Sequence, residues 1–410
     1  MEKGKYNILN FKLYYIIQGK NMYKRRIVIL GSTGTFGLQT LQTIRENNER
    51  FEVVALVSEG NVGVLISQIK QFRPQYVYIK DEVDREIILA ECKGFISADE
   101  VFFGEEGLKE ISKIKNFDIV VSAMDGMVGL MPTYNFIKKR NTTVILCSRE
   151  ILVIAGRIII EEAQKYKVNL ITLDTPIIEK GLRFRQEIEK IILFETENPF
   201  LQFNLGEDTK LKDILKYQRK MDSKMAVNKA TMIDTGYRII ENMTLFNLTL
   251  EQVEIAKCQN RKIHSEVWLK NGTIKQNICS PDAKNQILNA FSTTYINKIF
   301  EEQIEVKEIC SNENDFFEKL DIENFRCLEC VFKAIKGGLE AQIVLNAANE
   351  VAVSYFLEGK IGFKDIYKVI SALLKSYLYN LNVRGIYDII MIDKLARKRA
   401  EREVLRIRMN

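Results

Sequence analysis

Histidine is almost absent: the 410-residue chain holds one, His264. A two-histidine metalloprotease site and a histidine-rich zinc site are therefore excluded. No apolar run approaches the roughly 20 residues that cross a bilayer, so no membrane-spanning helix is expected. Net charge is small, +6 from 60 Lys and Arg against 54 Asp and Glu, which gives no reason to expect a nucleic-acid partner. The basic stretch Lys394–Arg408 is interleaved with Glu401 and Glu403 and reads as a solvated helix face behind an N-cap at Asp393. The seven cysteines form an odd set without a secretory signal, so a reducing, cytoplasmic setting is expected. Cys327 and Cys330 form a C-x-x-C with no second pair to complete a zinc ribbon and read as buried thiols. What is present is globular: 46% hydrophobic, 28% charged and 10% aromatic residues. At roughly 100–200 residues per domain the length allows two to four domains.

From Met22 the pattern alternates strand and helix. Arg26–Leu30 is a short β-branched run, Leu38–Glu46 has helical spacing, and Phe51–Val57 is a second strand. A helix near Val62–Phe72 and strands at Tyr76–Ile79, Phe117–Val121 and Thr143–Leu146 continue the series. Such alternation implies an α/β, Rossmann-like doubly wound sheet. After Leu173 the rhythm is lost, and an α+β segment follows with strands at Lys190–Phe194 and His264–Leu269 and a helix over Thr231–Phe246. From Asn324 the chain reads as helices broken at Gly337–Gly338 and Gly359, a small bundle. The expected division is an extension over 1–21 outside the fold, a dinucleotide-binding domain over 22–173, a central catalytic-type domain over 174–305, a linker over 306–323 and a C-terminal helical bundle over 324–410.

The segment Gly31-Ser32-Thr33-Gly34-Thr35-Phe36-Gly37 follows a strand and opens a helix. Glycines there let the chain turn tightly and bring backbone N–H groups against a pyrophosphate at the positive helix end. Glu59 lies about 20 residues on, where an acid bonds the adenosine ribose hydroxyls. An acid there repels a 2′-phosphate, and no Arg or Lys lies between Ser58 and Gln68. On its own this favours NADH over NADPH.

Read with three later motifs, the loop resembles the 1-deoxy-D-xylulose 5-phosphate reductoisomerase family. The matching segments are ILGSTGTFG at 29–37, TLQTIRENNERFEVVALV at 40–57, GMVGLMPT at 126–133 and LNAANEVAV at 345–353. The resemblance runs from residue 22 to 410 in order. It implies a three-part fold, a homodimer, a small-molecule substrate, NADPH and a divalent Mg or Mn ion that binds two substrate oxygens and steers a rearrangement towards an isoprenoid precursor. Asn61 and Gly126 join the loop as cofactor-binding positions by the same resemblance. So do Arg149 and Glu150 as catalytic positions.

The active-site motifs depart from the family's pattern. Its metal motif Asp-Ser-Glu falls on Asp174-Thr175-Pro176, which leaves Asp174 as a ligand candidate and Thr175 as a substrate contact. Its third metal carboxylate falls on Arg238, its Asn-Lys pair on Asp234-Thr235 and its phosphate-binding serine on Lys229. Its flap reads Lys216–Arg219, its phosphate loop Glu195–Asn198, and the basic residue after the second strand is Gly60. A single carboxylate holds Mg or Mn weakly. The expectation is a divergent nicotinamide-dependent oxidoreductase whose metal-dependent reaction is lost or altered, with Asp174, Glu150, Arg149 and Arg238 as catalytic residues and Asp174 paired to Arg238. Open alternatives are an ordinary reductoisomerase making 2-C-methyl-D-erythritol 4-phosphate and a non-catalytic dinucleotide- or partner-binding dimer. Arg238 and Asp234 could equally form an i,i+4 surface pair, and Glu150, Asp174 and Asp234 could rebuild a metal site. His264 and the LNAANE segment are expected to be structural.

Overall fold

The computed structural model describes residues 24–173, 187–195, 198–202, 205, 209–217, 222–258, 263–278, 283–293, 306–309, 317–319, 325–376 and 383–409. Residues 1–21, Asp174, Thr175 and Pro176 lie outside them. The chain divides into two compact units, one ending at Val121 and one beginning at Ser122.

In the first unit five strands alternate with helices: β1 (Arg25–Leu30), α1 (Thr35–Glu46), β2 (Phe51–Val57), α2 (Val62–Phe72), β3 (Tyr76–Ile79), α3 (Glu82–Glu91), β4 (Val101–Phe103), α4 (Gly104–Ile111) and β5 (Ile119–Ser122). Ile27–Leu30, Val54–Val57 and Ile79 are fully buried, as strands covered on both faces must be. Burying each such side chain stabilises the fold by about 1.5–3 kcal/mol. The pairs β1–β2, β2–β3 and β3–β4 are parallel. Helix α1 packs through Thr40, Leu41, Thr43 and Ile44, the three- and four-residue spacing of one helix face. The whole sheet has seven strands in the order β4-β3-β2-β1-β5-β6-β7, the doubly wound α/β arrangement expected.

The second unit holds α5 (Leu130–Ile137), β6 (Thr143–Leu146), α6 (Glu150–Tyr166) and β7 (Asn169–Thr172), with β6 and β7 parallel. After them come β8 (Ile188–Phe194), α7 (Leu211–Leu215), α8 (Ser223–Ala230), α9 (Ile233–Phe246), β9 (Val253–Cys258), β10 (Ile263–Leu269), β11 (Ile274–Ile278) and α10 (Ala283–Thr293). A mixed six-stranded sheet runs β12-β11-β10-β8-β9-β13. Its edge strands are β12 (Val306–Ile309) and β13 (Phe317–Lys319), so the stretch 306–323 read as a linker carries strands of this sheet.

The C-terminal part is helical, with α11 (Arg326–Leu357), α12 (Phe363–Ser376) and α13 (Ile386–Met409). Gly338 interrupts α11 with φ +79°, and Gly359 follows its end with φ +70°, as the glycine stops predicted. One boundary differs. Helix α13 begins at Ile386, and Asp393 is a buried residue inside it rather than an N-cap. The buried face Ile386, Ile389, Ile392, Ala396, Ala400 and Val404 carries the helix through that point. The Asp393 carboxylate accepts a hydrogen bond from Arg397 Nε at 2.7 Å instead of capping.

Candidate functional site

In the first unit the glycine loop has the geometry of an anion cradle. Gly31 turns the chain at φ +83°, and the N–H groups of Gly31 and Ser32 donate to the Val57 carbonyl at 2.8 and 3.0 Å. Gly34 stands at the N-cap of α1 with no side-chain cap, which leaves the first-turn N–H groups to a ligand. At Gly37 a Cβ would lie 2.2 Å from the Gly31 carbonyl oxygen and 2.6 Å from Ser32 C, so only glycine lets α1 seat on the loop. Ser32 is buried, and its carbonyl accepts from Gln68 Nε2 at 2.8 Å. Thr33 Oγ1 is 2.7 Å from Ser58 Oγ, which donates to the Gly60 carbonyl at 2.6 Å. Thr35 is exposed and Phe36 half-buried. Glu59 stands at the end of β2, and Asn61, left-handed at φ +57°, leads into α2. The cradle and the uncapped helix end fit the pyrophosphate of a dinucleotide.

The second unit carries a buried charge network built on one face of α9. Positions 234, 235, 238 and 241 share that face by helical spacing. Arg149, just before α6, donates from Nη1 to Asp234 Oδ1 at 2.6 Å, and its Nε lies 3.3 Å from Glu241 Oε2. Arg238 donates from Nη1 to Glu195 Oε1 at 2.9 Å and to the Phe194 carbonyl at 3.2 Å, and from Nη2 to the His264 carbonyl at 3.1 Å. Thr235 Oγ1 donates to the same Glu195 oxygen at 2.8 Å. Arg238 thereby ties the ends of β8 and β10 to α9. Lys229, half-buried on α8, makes no ion pair among the described residues, and its carbonyl accepts from Asn198 Nδ2 at 3.0 Å.

The cations of this network act on His264 and Asp234. Burial pushes the His264 imidazole down to about 4, and Arg238, Lys229 and Arg149 push in the same direction. Burial alone would raise the Asp234 carboxyl, but Arg149, Lys229 and Arg238 outweigh it and hold the group below the usual carboxylate range. Glu241 moves the other way: burial raises it more than Arg149 lowers it.

These contacts correct two expected pairings. Asp234 and Arg238 form no i,i+4 surface pair, because each engages a partner on another element. Arg238 is bound to Glu195, which the sequence reading placed only in the former phosphate loop. Its predicted partner Asp174, like Thr175, lies outside the described residues. Glu150 belongs to a separate network: Ser148 Oγ donates to it at 2.6 Å, and Lys224 Nζ stands 3.6 Å from it and 3.5 Å from Glu350. Among the described residues of the α9 network, Asp234 and Glu195 each face a guanidinium group. Among the described residues no three His, Cys, Asp or Glu side chains are placed to hold a metal.

The second network supports the site from below. Arg397 joins Asp393 to Glu350. Tyr237 Oη donates to Asn346 Oδ1 at 3.0 Å, and Asn349 Nδ2 to Asn228 Oδ1 at 3.1 Å. Gly126, at φ +60°, lies so close to Glu350 that a Cβ would come 1.9 Å from Oε1. The LNAANE asparagines thus hydrogen-bond α8 and α9, and Cys327 and Cys330 are, as expected, buried free thiols, raised by burial. Glu241 and Arg397 escaped the sequence reading. Their only local signal was a charged residue on an otherwise apolar helix face.

Residues 27–156 match the family model described as 1-deoxy-D-xylulose 5-phosphate reductoisomerase. Residues 278–399 match that of the DXP reductoisomerase C-terminal domain. A 1-deoxy-D-xylulose 5-phosphate reductoisomerase of Caldanaerobacter subterraneus subsp. tengcongensis is 33% identical over 390 residues, 93% of this chain and 100% of that protein. The enzyme of the same name from Thermoanaerobacter pseudethanolicus is 32% identical over 393 residues, again 93% and 100%. The reductoisomerase of Zymomonas mobilis in complex with NADPH superposes with a TM-score of 0.78 at 28% identity, covering 93% of this chain and 99% of that one. A DOX-P reductoisomerase in complex with NADPH, fosmidomycin and magnesium gives a TM-score of 0.80 at 26% identity, covering 93% and 98%.

Proposed function

The chain belongs to the 1-deoxy-D-xylulose 5-phosphate reductoisomerase family, and from that premise we propose that it is an NADPH-dependent reductoisomerase converting 1-deoxy-D-xylulose 5-phosphate to 2-C-methyl-D-erythritol 4-phosphate. The observation that carries the reading is likeness along 93% of the chain to a reductoisomerase matched over its whole length, joined to an intact glycine cradle. When bound, NADPH supplies the hydride. The loop Gly31–Gly37 receives its pyrophosphate on backbone N–H groups, and Gly37 keeps the α1 terminus against them. In the second unit Lys229, Arg149 and Arg238 supply positive charge for an anionic substrate, with Thr235 and Asp234 beside them. A homodimer is part of the proposal.

A specific observation favours a second reading, a divergent oxidoreductase of this family on a related small polyol or keto compound. The family's third metal carboxylate is here Arg238, locked to Glu195 at 2.9 Å with side chains 13% and 10% exposed. Such a position presents a fixed cation where the family presents a metal ligand. A guanidinium can polarise a carbonyl or hold an oxyanion without a divalent ion.

The test is NADPH oxidation by the purified protein with 1-deoxy-D-xylulose 5-phosphate, with Mg²⁺ or Mn²⁺ and with EDTA. Turnover that needs the metal supports the first reading. Turnover indifferent to EDTA supports the second, as does dinucleotide binding with no turnover of this substrate but reduction of a related ketose. Absence of dinucleotide binding overturns both.

A further inference from the structure

The choice between the two nicotinamide dinucleotides is made where β2 ends, because there the chain meets the adenosine ribose: an acid bonds its hydroxyls, and a nearby cation accommodates a 2′-phosphate. The turn Ser58–Asn61 offers Glu59 and no cation of its own. Strand β3 brings one. Lys80 follows β3 directly, and its Nζ stands 3.9 Å from Glu59 Oε2. The Ser58 N–H donates to the Tyr78 carbonyl at 3.0 Å, which holds the two strand ends side by side. The turn itself is fixed to the glycine loop through Thr33, Ser58 and Gly60. Beside it there is room: a Cβ on Gly60 would meet nothing within 4 Å.

At 3.9 Å the Lys80–Glu59 contact is an ion pair beyond hydrogen-bond length. The lysine is 57% exposed and the glutamate 34%. A pair of that kind contributes little and is readily exchanged for a doubly charged phosphate. Other acids also act on this end of the sheet. The buried Tyr78 phenol is pushed up to about 12 by burial first, then by Glu59, Asp81 and Glu105. Their charge opposes a phosphate, so any preference for one rests on direct contact with Lys80 and not on net charge.

We propose that Lys80 reads the 2′-phosphate and makes the chain favour NADPH over NADH, in the role that a basic residue of the β2 turn would otherwise fill. The assignment rests on the glycine loop being a dinucleotide site. It is tested by titrating NADPH and NADH fluorescence with the wild-type protein and with Lys80→Glu and Lys80→Arg, without turnover. A charge-assisted contact of this class corresponds to about 10–100-fold in affinity. Lys80→Glu therefore weakens NADPH by that factor and leaves NADH within about threefold, while Lys80→Arg keeps the wild-type preference. An unchanged NADPH-to-NADH ratio in Lys80→Glu overturns the role of Lys80, and so does a wild-type protein that prefers NADH. Failure of the wild type to bind either dinucleotide overturns the glycine-loop reading and this assignment with it.

Discussion

The glycine loop of the first unit and the α9 network of the second, the two proposed anion sites, are built by opposite physical means. The loop has no charge: it works by backbone N–H groups left uncapped at Gly34 and by the missing Cβ at Gly37. Its constraint is steric and tolerates no side chain. The α9 network is made of buried charges, and each of its two guanidinium groups is matched to a carboxylate across elements. Its constraint is electrostatic, and residues can be exchanged there as long as charge is balanced. On the proposed reading, Arg238 and Lys229 are exchanges of the second kind, while the glycine loop keeps its three glycines.

The largest effect that would test this contrast is expected at Arg238. Arg238→Met removes one partner of a largely buried pair and leaves the Glu195 carboxylate without its guanidinium, a loss of about 3–5 kcal/mol in unfolding free energy. Denaturant titration measures it, and dinucleotide affinity should survive in the folded fraction. A loss below about 1 kcal/mol would mean that the pair is solvated and the contrast false. Next is Gly37→Ala, whose Cβ must displace backbone at 2.2 Å. Forcing that shift costs about 1–3 kcal/mol, and NADPH affinity measured by fluorescence falls at least about tenfold. Unchanged binding would show that the cradle is not the dinucleotide site.

The smallest effect is a pH slope. The His264 imidazole has its folded pKa depressed to about 4 from an ordinary 6.5. The unfolded state takes up the proton first, so stability is full above about pH 6.5 and is lost as pH falls towards 4, by at most about 1.4 kcal/mol per pH unit. His264→Gln flattens that slope over this window in thermal melts at a series of pH values. A variant with the wild-type slope would place the titration elsewhere and weaken the case for the α9 cations acting on His264.

The β1–loop–α1 unit was legible in the sequence because everything that shapes it is local: β-branched residues, three glycines and a helical face within about twenty positions. The strands Tyr76–Ile79 and Thr143–Leu146 were read to the residue for the same reason. The three-residue strand β4 was not, since so few residues carry too little periodicity to stand out. Asp393 was misread because an acid before a basic stretch looks like a cap unless the buried face running through it is seen.

What the sequence determined by itself was the family, the doubly wound fold and the glycine loop, because steric rules act between neighbours along the chain. Only the tertiary structure decided which charges meet. It took Arg238 away from Asp234 and gave it to Glu195, set Arg149 between Asp234 and Glu241, and brought Lys80 from β3 to Glu59 at the end of β2. Coulombic partners are chosen by distance in space, and charges close enough to pair here stand twenty to more than eighty residues apart in the chain.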